Sequence, residues 1–482
     1  MTLGVTVRQR HYERKECDPL RPVRIKWPGR GFLANYLTGE SMDHRQIAAL
    51  FVPILIDQAF IIILNLFNTA MISSSGVAAI SAVSMVDSLN MFLINVFVAV
   101  ATGGTVIVAQ YKGSGNESMV AKASAGSVAT VSLLALGLGL LLTAAHNPML
   151  KLLFGAASEE VFANAKLYFI GSCASYLGIG IVQAVSGAMR GIGKTRVSLA
   201  LSLIMNLTYV LLNVLFITVL DMGVLGLTVA MNIARYAAAL CALYYVLKLD
   251  ATMRLRLREL VVVPWSMLRK IMSIGLPFAA EQMFFNGGKM LTQVFIVSLG
   301  TGAIAANAIG NTLAMVYQIP AGALSLTIVT VVGQCMGRQD VADARKFIRA
   351  FVVLSSVSLL LMALILLPLT YPLMDLFQPP AEIRRELFWL IVINAIAQVP
   401  LWSISFILPA GLRAAGDARF TSITSMLSMW LFRVVLGYVF GITLGFGIIG
   451  VWAAMNCEWG VRGAVFLWRI RGKKWYAHRL IG

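Results

Sequence analysis

Pro53-Ile-Leu-Ile-Asp57-Gln58 returns about 224 residues later as Pro277-Phe-Ala-Ala-Glu281-Gln282, and self-similarity at one fixed offset marks a chain built from like units. Working outward, the same offset sets Gln110-Tyr-Lys-Gly113 on Gln334-Cys-Met-Gly337, and Pro148-Met-Leu-Lys-Leu152 on Pro372-Leu-Met-Asp-Leu376. Slipped by one residue, Arg190-Gly-Ile-Gly193 falls on Arg413-Ala-Ala-Gly416. Gly223, Gly226, Ala230, Met231 and Asn232 recur as Gly447, Gly450, Ala454, Met455 and Asn456. The chain is therefore two like halves, which leave a cleft where they meet.

Composition says where those halves lie. Hydrophobic residues make up 59% of the chain and charged residues 12%, against roughly a quarter charged in a soluble domain. Apolar runs long enough to cross a bilayer, about 20 residues each, fall at 47–70, 79–109, 121–144, 165–189, 198–220, 223–247, 271–299, 304–334, 350–371, 387–411, 420–443 and 447–468. Six lie in each half. The runs are unbroken and rich in Gly, Ala and Ser, without strand-like alternation, which favours helices over a barrel. The predicted fold is an all-α integral membrane protein of twelve transmembrane helices in two pseudo-symmetric six-helix bundles. The expected divisions are a basic tail at 1–45, bundles at 46–247 and 271–469, a linker at 248–270 and a second tail at 470–482.

Lys and Arg set the orientation. They crowd the N-terminal tail, the even-numbered connections (Lys112, Lys122, Arg190, Lys194, Arg254, Arg256, Arg338, Arg345, Arg413) and the C-terminal tail. The odd-numbered connections and their edges hold only Lys151, Lys166, Arg384 and Arg385. Both termini are thus expected in the cytoplasm of a cell or inner membrane. Since six is even, the halves insert with one polarity and their pseudo-two-fold axis follows the membrane normal. The net charge of +18 is this positive-inside signal plus attraction to anionic lipid. No basic face with base-reading groups points to nucleic acid. The five cysteines are scattered without a C-x-x-C, and the four histidines lie outside the spans, so neither a metal site nor a cofactor is expected. Residues 1–45 lack the apolar core of a secretory signal.

The residues that end span 2, Ala101-Thr-Gly-Gly-Thr-Val-Ile-Val-Ala-Gln-Tyr-Lys-Gly113, resemble those of the multidrug and toxic-compound extrusion (MATE) transporters. So do Arg190-Gly-Ile-Gly-Lys-Thr195, and the run from Gly275-Leu-Pro277 through Ala305-Ala-Asn-Ala-Ile-Gly-Asn311 to Val331-Val-Gly-Gln334. The resemblance covers roughly residues 46–470. It implies two bundles around a central cavity, and export of organic, often cationic, compounds in exchange for Na⁺ or H⁺. There are two departures. Many members carry Asp before Thr near the end of span 1, where this chain has Asn68-Thr69. Many carry Glu eight residues after the span 7 proline, where this chain has Phe285.

Charged groups at bilayer depth are costly and usually face a cavity or a partner. Asp57 lies near the midplane in span 1, and Glu281 takes the equivalent place in span 7. Asp57 and Asn68, eleven residues apart, return to nearly one helix face. Asp87, with Asn90 a turn on, belongs to the outer part of span 2. The expected cation-coupling residues are Asp57, Glu281, Asp87 and Asn68. The alternative for each acid is a packed carboxylate hydrogen-bonded to its neighbours. Lys289, Asn90, Tyr317, Gln318 and Phe285 are the expected substrate-cavity residues, with Lys289 either neutralising Glu281 or snorkelling outward. Glu458 and Arg462, four apart, make a natural ion pair; if their set faces the cavity, it favours substrates with an anionic part. The leading function is a monomeric exporter of small organic compounds, cationic or amphipathic, in exchange for H⁺ or Na⁺. A lipid-linked precursor flippase is the alternative. An intramembrane enzyme lacks a metal set or a plausible nucleophile.

Overall fold

The structure, a computed structural model, describes residues 37–72, 77–155, 158–250, 259–260, 262–375, 377, 379–478 and 480–481, with the side chains of 65–72 and 77 left out. Among these residues, twelve long helices follow one another. They are α1 (His44–Ile72), α2 (Val77–Gly113), α3 (Glu117–Ala144), α4 (Glu159–Ile192), α5 (Thr195–Val219) and α6 (Gly223–Leu249), then α7 (Trp265–Ser298), α8 (Thr301–Gly337), α9 (Val341–Leu366), α10 (Ala381–Ala414), α11 (Ala418–Thr443) and α12 (Gly447–Arg471). Each covers most of one apolar run; the largest offset is at α9, which runs from Val341 to Leu366 where the run is 350–371, and stops ahead of Pro368.

Ten of the twelve are apolar enough to span on composition alone. The other two, α7 and α12, are interrupted by Glu281, Gln282, Asn286 and Lys289 and by Asn456, Glu458 and Arg462. Their partners inside the protein, described below, make those interruptions tolerable. Some buried hydroxyls are satisfied locally: Thr105, Thr130 and Thr327 each donate to the carbonyl four residues back. Leu140, Leu211, Leu240 and Leu364 are each more than 60% exposed, as expected of a surface solvated by acyl chains.

The repeat extends to the helix ends. Asn116 caps α3 by accepting from Met119, and its counterpart Asp340 caps α9 by accepting from Asp343. Gly193 and Gly416 follow α4 and α10 at φ of 93° and 105°, a left-handed conformation that costs glycine little. Within the first lobe α4 packs on α2, α3 and α6; within the second, α10 packs on α8, α9 and α12.

The described polar contacts between the lobes gather at one end, and from there α2 packs on α7 as far in as Val100 and Gly275, where a Cβ added on Gly275 would stand 2.9 Å from the Val100 Cα. Gln110 Nε2 donates to the Ala414 carbonyl at 2.8 Å, and its counterpart Gln334 Nε2 donates to the Gly191 carbonyl at 3.0 Å. Thr330 Oγ1 donates to the Arg190 carbonyl at 3.0 Å. A Cβ on Gly113 would stand 2.0 Å from the Gln334 carbonyl oxygen, and one on Gly337 would stand 1.9 Å from that of Gln110. This is the end rich in Lys and Arg. The described segments before α1 and at the end of α12 pack there too: Ser41 bonds Asp340 and Asp343, and Arg469 bonds Asp417.

Toward the opposite end the lobes part. Met91 lies 18 residues, or five turns, before Ala109 and therefore on the same face of α2. Ala109 packs on Gly333 of α8, whereas Met91 is 59% exposed. On α8, Met315 has the same relation to Gly333 and is 55% exposed. Ser84 and Asp87 share the open face on α2, as do Ala308 and Asn311 on α8. The two faces touch low down and are bare above, so the cleft opens away from the positive side.

A polarised cleft between two lobes

The proline that opens each repeat removes a backbone donor one turn before an acid. In the second lobe Glu281 is fully engaged. Arg413 Nη1 donates to its two oxygens at 3.1 and 3.3 Å, and Ser422 Oγ donates at 3.0 Å. The guanidinium also lies 4.0 Å from the Phe278 ring centroid. The first lobe has the corresponding parts in Asp57, Arg190 and Ser198, but they are wired differently. Arg190 Nη1 bonds Ser198 Oγ at 3.1 Å. Asp57 lies beside Ser202 within the field of Arg190, and its Oδ1 is buried with no hydrogen-bond partner. An aspartate is one methylene shorter than a glutamate, about 1.5 Å of reach, and that difference separates a closed ion pair from an open one.

Higher in the first lobe, Asp87 borders the cleft. Its Oδ1 accepts from Tyr168 Oη at 2.8 Å and from Asn90 Nδ2 at 3.4 Å. Asn90 is buried; it accepts from Tyr176 Oη at 2.7 Å and donates to Ser172 Oγ at 2.9 Å. Arg235 donates to Ser175 Oγ at 2.6 Å in the same network. The aromatic hydroxyls hold a carboxylate at the wall without a contacting cation.

The second lobe carries the opposite charge. Phe285 has the Lys289 ammonium 5.1 Å from its ring centroid, and the Arg433 and Arg462 guanidinium carbons at 5.6 and 5.7 Å. Arg462 pairs with Glu458 at 3.1 Å and donates from Nε to Ser405 Oγ at 2.6 Å, the expected i, i+4 pair. Arg433 lies in a π-helical stretch of α11, Met429–Val434, a local widening often found at functional sites.

Lys289 does not neutralise Glu281; Arg413 does, because the repeat brings the end of α10 over the middle of α7. Asp87 and Asn90 do share a site. Tyr317 is buried, and Gln318 Nε2 lies 3.4 Å from Gln398 Oε1. Asn68 falls within α1, but its side chain lies outside the described residues. Arg190 and Arg413 count in the sequence as loop charges; the structure turns Arg413 into its lobe at 8% exposure. The signal for them was present: the offset that aligns Asp57 with Glu281 also aligns Ser198 with Ser422, and an offset one residue shorter aligns Arg190 with Arg413.

A multi-pass membrane protein of two like lobes around a cleft open at one end is a transporter architecture, and the comparisons agree. A sequence profile of the MatE family matches residues 53–215 and 277–439, two segments separated by the repeat offset. The chain belongs to the multidrug and toxic-compound extrusion (MATE) family. It is 26% identical over 437 residues to the "Uncharacterized transporter YisQ" of Bacillus subtilis, covering 88% of this chain and 93% of that protein. It is 25% identical over 450 residues to the "Probable multidrug resistance protein NorM" of Thermotoga maritima, covering 92% and 95%. Its fold is similar to an outward-facing multidrug resistance MATE family transporter, with a TM-score of 0.83 at 18% identity over 92% of this chain and 99% of the other. A MATE structure in a bent conformation gives 0.81 at 20% identity, covering 92% and 98%.

Proposed function

We propose that the protein exports small amphipathic organic compounds across the cell membrane in exchange for a cation, H⁺ or Na⁺, that is taken up by the first lobe. The observation that carries this reading is the unequal pair of repeated acids. Glu281 is closed by Arg413 and Ser422, so it serves to hold its lobe together. Asp57 has a buried, unpartnered oxygen in the same position, and an oxygen left so at bilayer depth can take a proton or a cation. Asp87, held by Tyr168 and Asn90 at the cleft wall, is the second acceptor. Binding at Asp57 then changes the charge balance around Arg190, whose carbonyl joins the lobes through Thr330. An ion that favours one arrangement of the lobes over the other is what couples its gradient to the export of a substrate. In this reading both tails lie in the cytoplasm, and the protein works as a monomer.

The test is efflux of a fluorescent organic compound from proteoliposomes, with Na⁺ and pH gradients imposed separately. Asp57→Asn is expected to abolish gradient-driven efflux. Asp57→Glu, long enough to reach Arg190 as Glu281 reaches Arg413, is expected to abolish it as well while raising thermal stability. Efflux at the wild-type rate in both variants under both gradients would show that Asp57 does not couple.

A further inference from the structure

Three cations converge on one ring in the second lobe, and a single carboxylate faces them. Arg433 and Arg462 are 8% and 2% exposed, and Glu458 is fully buried. Among the described residues, neither Lys289 nor Arg433 has a carboxylate in contact. Arg462 retains a buried Nη2 with no hydrogen-bond partner, and Glu458, its ion-pair partner, retains a free Oε2. Excess positive charge and an unused donor at bilayer depth carry a free-energy cost that a fold does not maintain without a counter-group.

The fold itself does not require these charges. The first lobe has the same architecture, and at the positions equivalent to Arg433, Glu458 and Arg462 it carries Tyr209, Ala234 and Ala238. Where a pseudo-symmetric frame is otherwise repeated down to its helix caps, a charged set present in one lobe alone belongs to what the lobe binds. The set also reaches the cleft. Met283, Met290 and Val294 mark the lipid-facing side of α7 by their exposure. Lys289 is exposed as well, yet at 100° per residue it lies roughly 120° round the helix from that side. Its ammonium therefore stands at the cleft wall, with Phe285 and the two arginines behind it.

We infer that the second lobe binds the anionic group of the transported compound, a carboxylate or another oxyanion on an apolar, aromatic body, with Lys289 at the mouth of the site and Arg433 and Arg462 inside it. Phe285 supplies the apolar surface, and the guanidinium groups supply forked donors suited to an oxyanion. This rests on the transporter reading and narrows its substrate class: the coupling cation and the substrate's anion then occupy opposite lobes and do not compete for one site.

The experiment is equilibrium binding to purified protein in phosphatidylcholine nanodiscs, with no gradient present. The probes are carboxyfluorescein as the aromatic carboxylate and ethidium as an aromatic cation. Carboxyfluorescein is expected to bind saturably. Lys289→Gln is expected to weaken it about tenfold or more, the loss of one charge-assisted contact, and Lys289→Arg to restore it. Arg433→Gln should weaken it similarly, and the exposed Lys289 variants keep the test valid if that buried change impairs folding. Ethidium binding should not weaken in Lys289→Gln. Absence of saturable carboxyfluorescein binding, or equal binding by wild type and Lys289→Gln, would overturn the inference. Loss of probe binding when phosphatidylglycerol is added to the discs would overturn it too, by assigning the site to a lipid headgroup. Because no gradient is involved, a failure of Asp57 to couple leaves this result unaffected.

Discussion

At the residue scale, one methylene separates the two repeated acids, and the difference is testable without transport. Arg413 and Glu281 are each about 10% exposed at the side chain. Removing one partner of such a pair leaves a buried charge, at a cost of about 3–5 kcal/mol. Arg413→Met is therefore expected to lower the thermal midpoint markedly in detergent. The double change Arg413→Met with Glu281→Gln should recover much of that loss, since the residual charge is gone. The corresponding Arg190→Met should cost less, because Asp57 makes no contact with Arg190 to lose. Equal losses for the two arginines would mean that the lobes are wired alike. The acids themselves were legible in the sequence as charges inside apolar runs. Their partners were not, because an arginine at the cytoplasmic end of a helix counts the same whether it points to water or into its lobe.

At the element scale, α2 and α8 close one end of the cleft. Each ends in a glycine whose missing side chain lets the other helix's carbonyl approach: Gly113 against Gln334, Gly337 against Gln110. A side chain there meets backbone across the lobe interface, while each lobe's own packing is untouched. Gly337→Val is expected to leave the protein folded but to hold these ends apart. Spin labels at Glu117→Cys and Ala342→Cys, both exposed positions just past these ends, should report a longer distance in this variant than in the parent. An unchanged distance would place the closure elsewhere. Gln110→Ala should act in the same direction but more weakly, since a single hydrogen bond contributes about 1 kcal/mol. The sequence showed Gln-x-x-Gly twice; it did not show that each copy binds the other's neighbourhood, which is a fact of the pseudo-symmetry axis.

At the scale of the whole molecule, the chain ends and the even-numbered connections gather on one face, and the cleft opens on the other. In a background with Cys17 and the exposed Cys241 and Cys457 replaced, a cysteine at Asn147, in the short helix His146–Phe154 after α3, is expected to react with an impermeant thiol reagent applied to intact cells. One at Glu117 should react only after the membrane is opened. The reverse pattern would invert the protein.

The number of spans, their division into two like halves and the depth of the acids were determined by the sequence alone, because bilayer thickness, hydrophobicity and a repeat offset are properties of a linear string. Which acid is closed by an arginine, which helix face borders the cleft, and that one lobe is acidic at the cleft while the other is basic were decided only by tertiary structure. A lysine on α7 and two arginines on α11 and α12 become one site only when three helices bring them to the same phenyl ring.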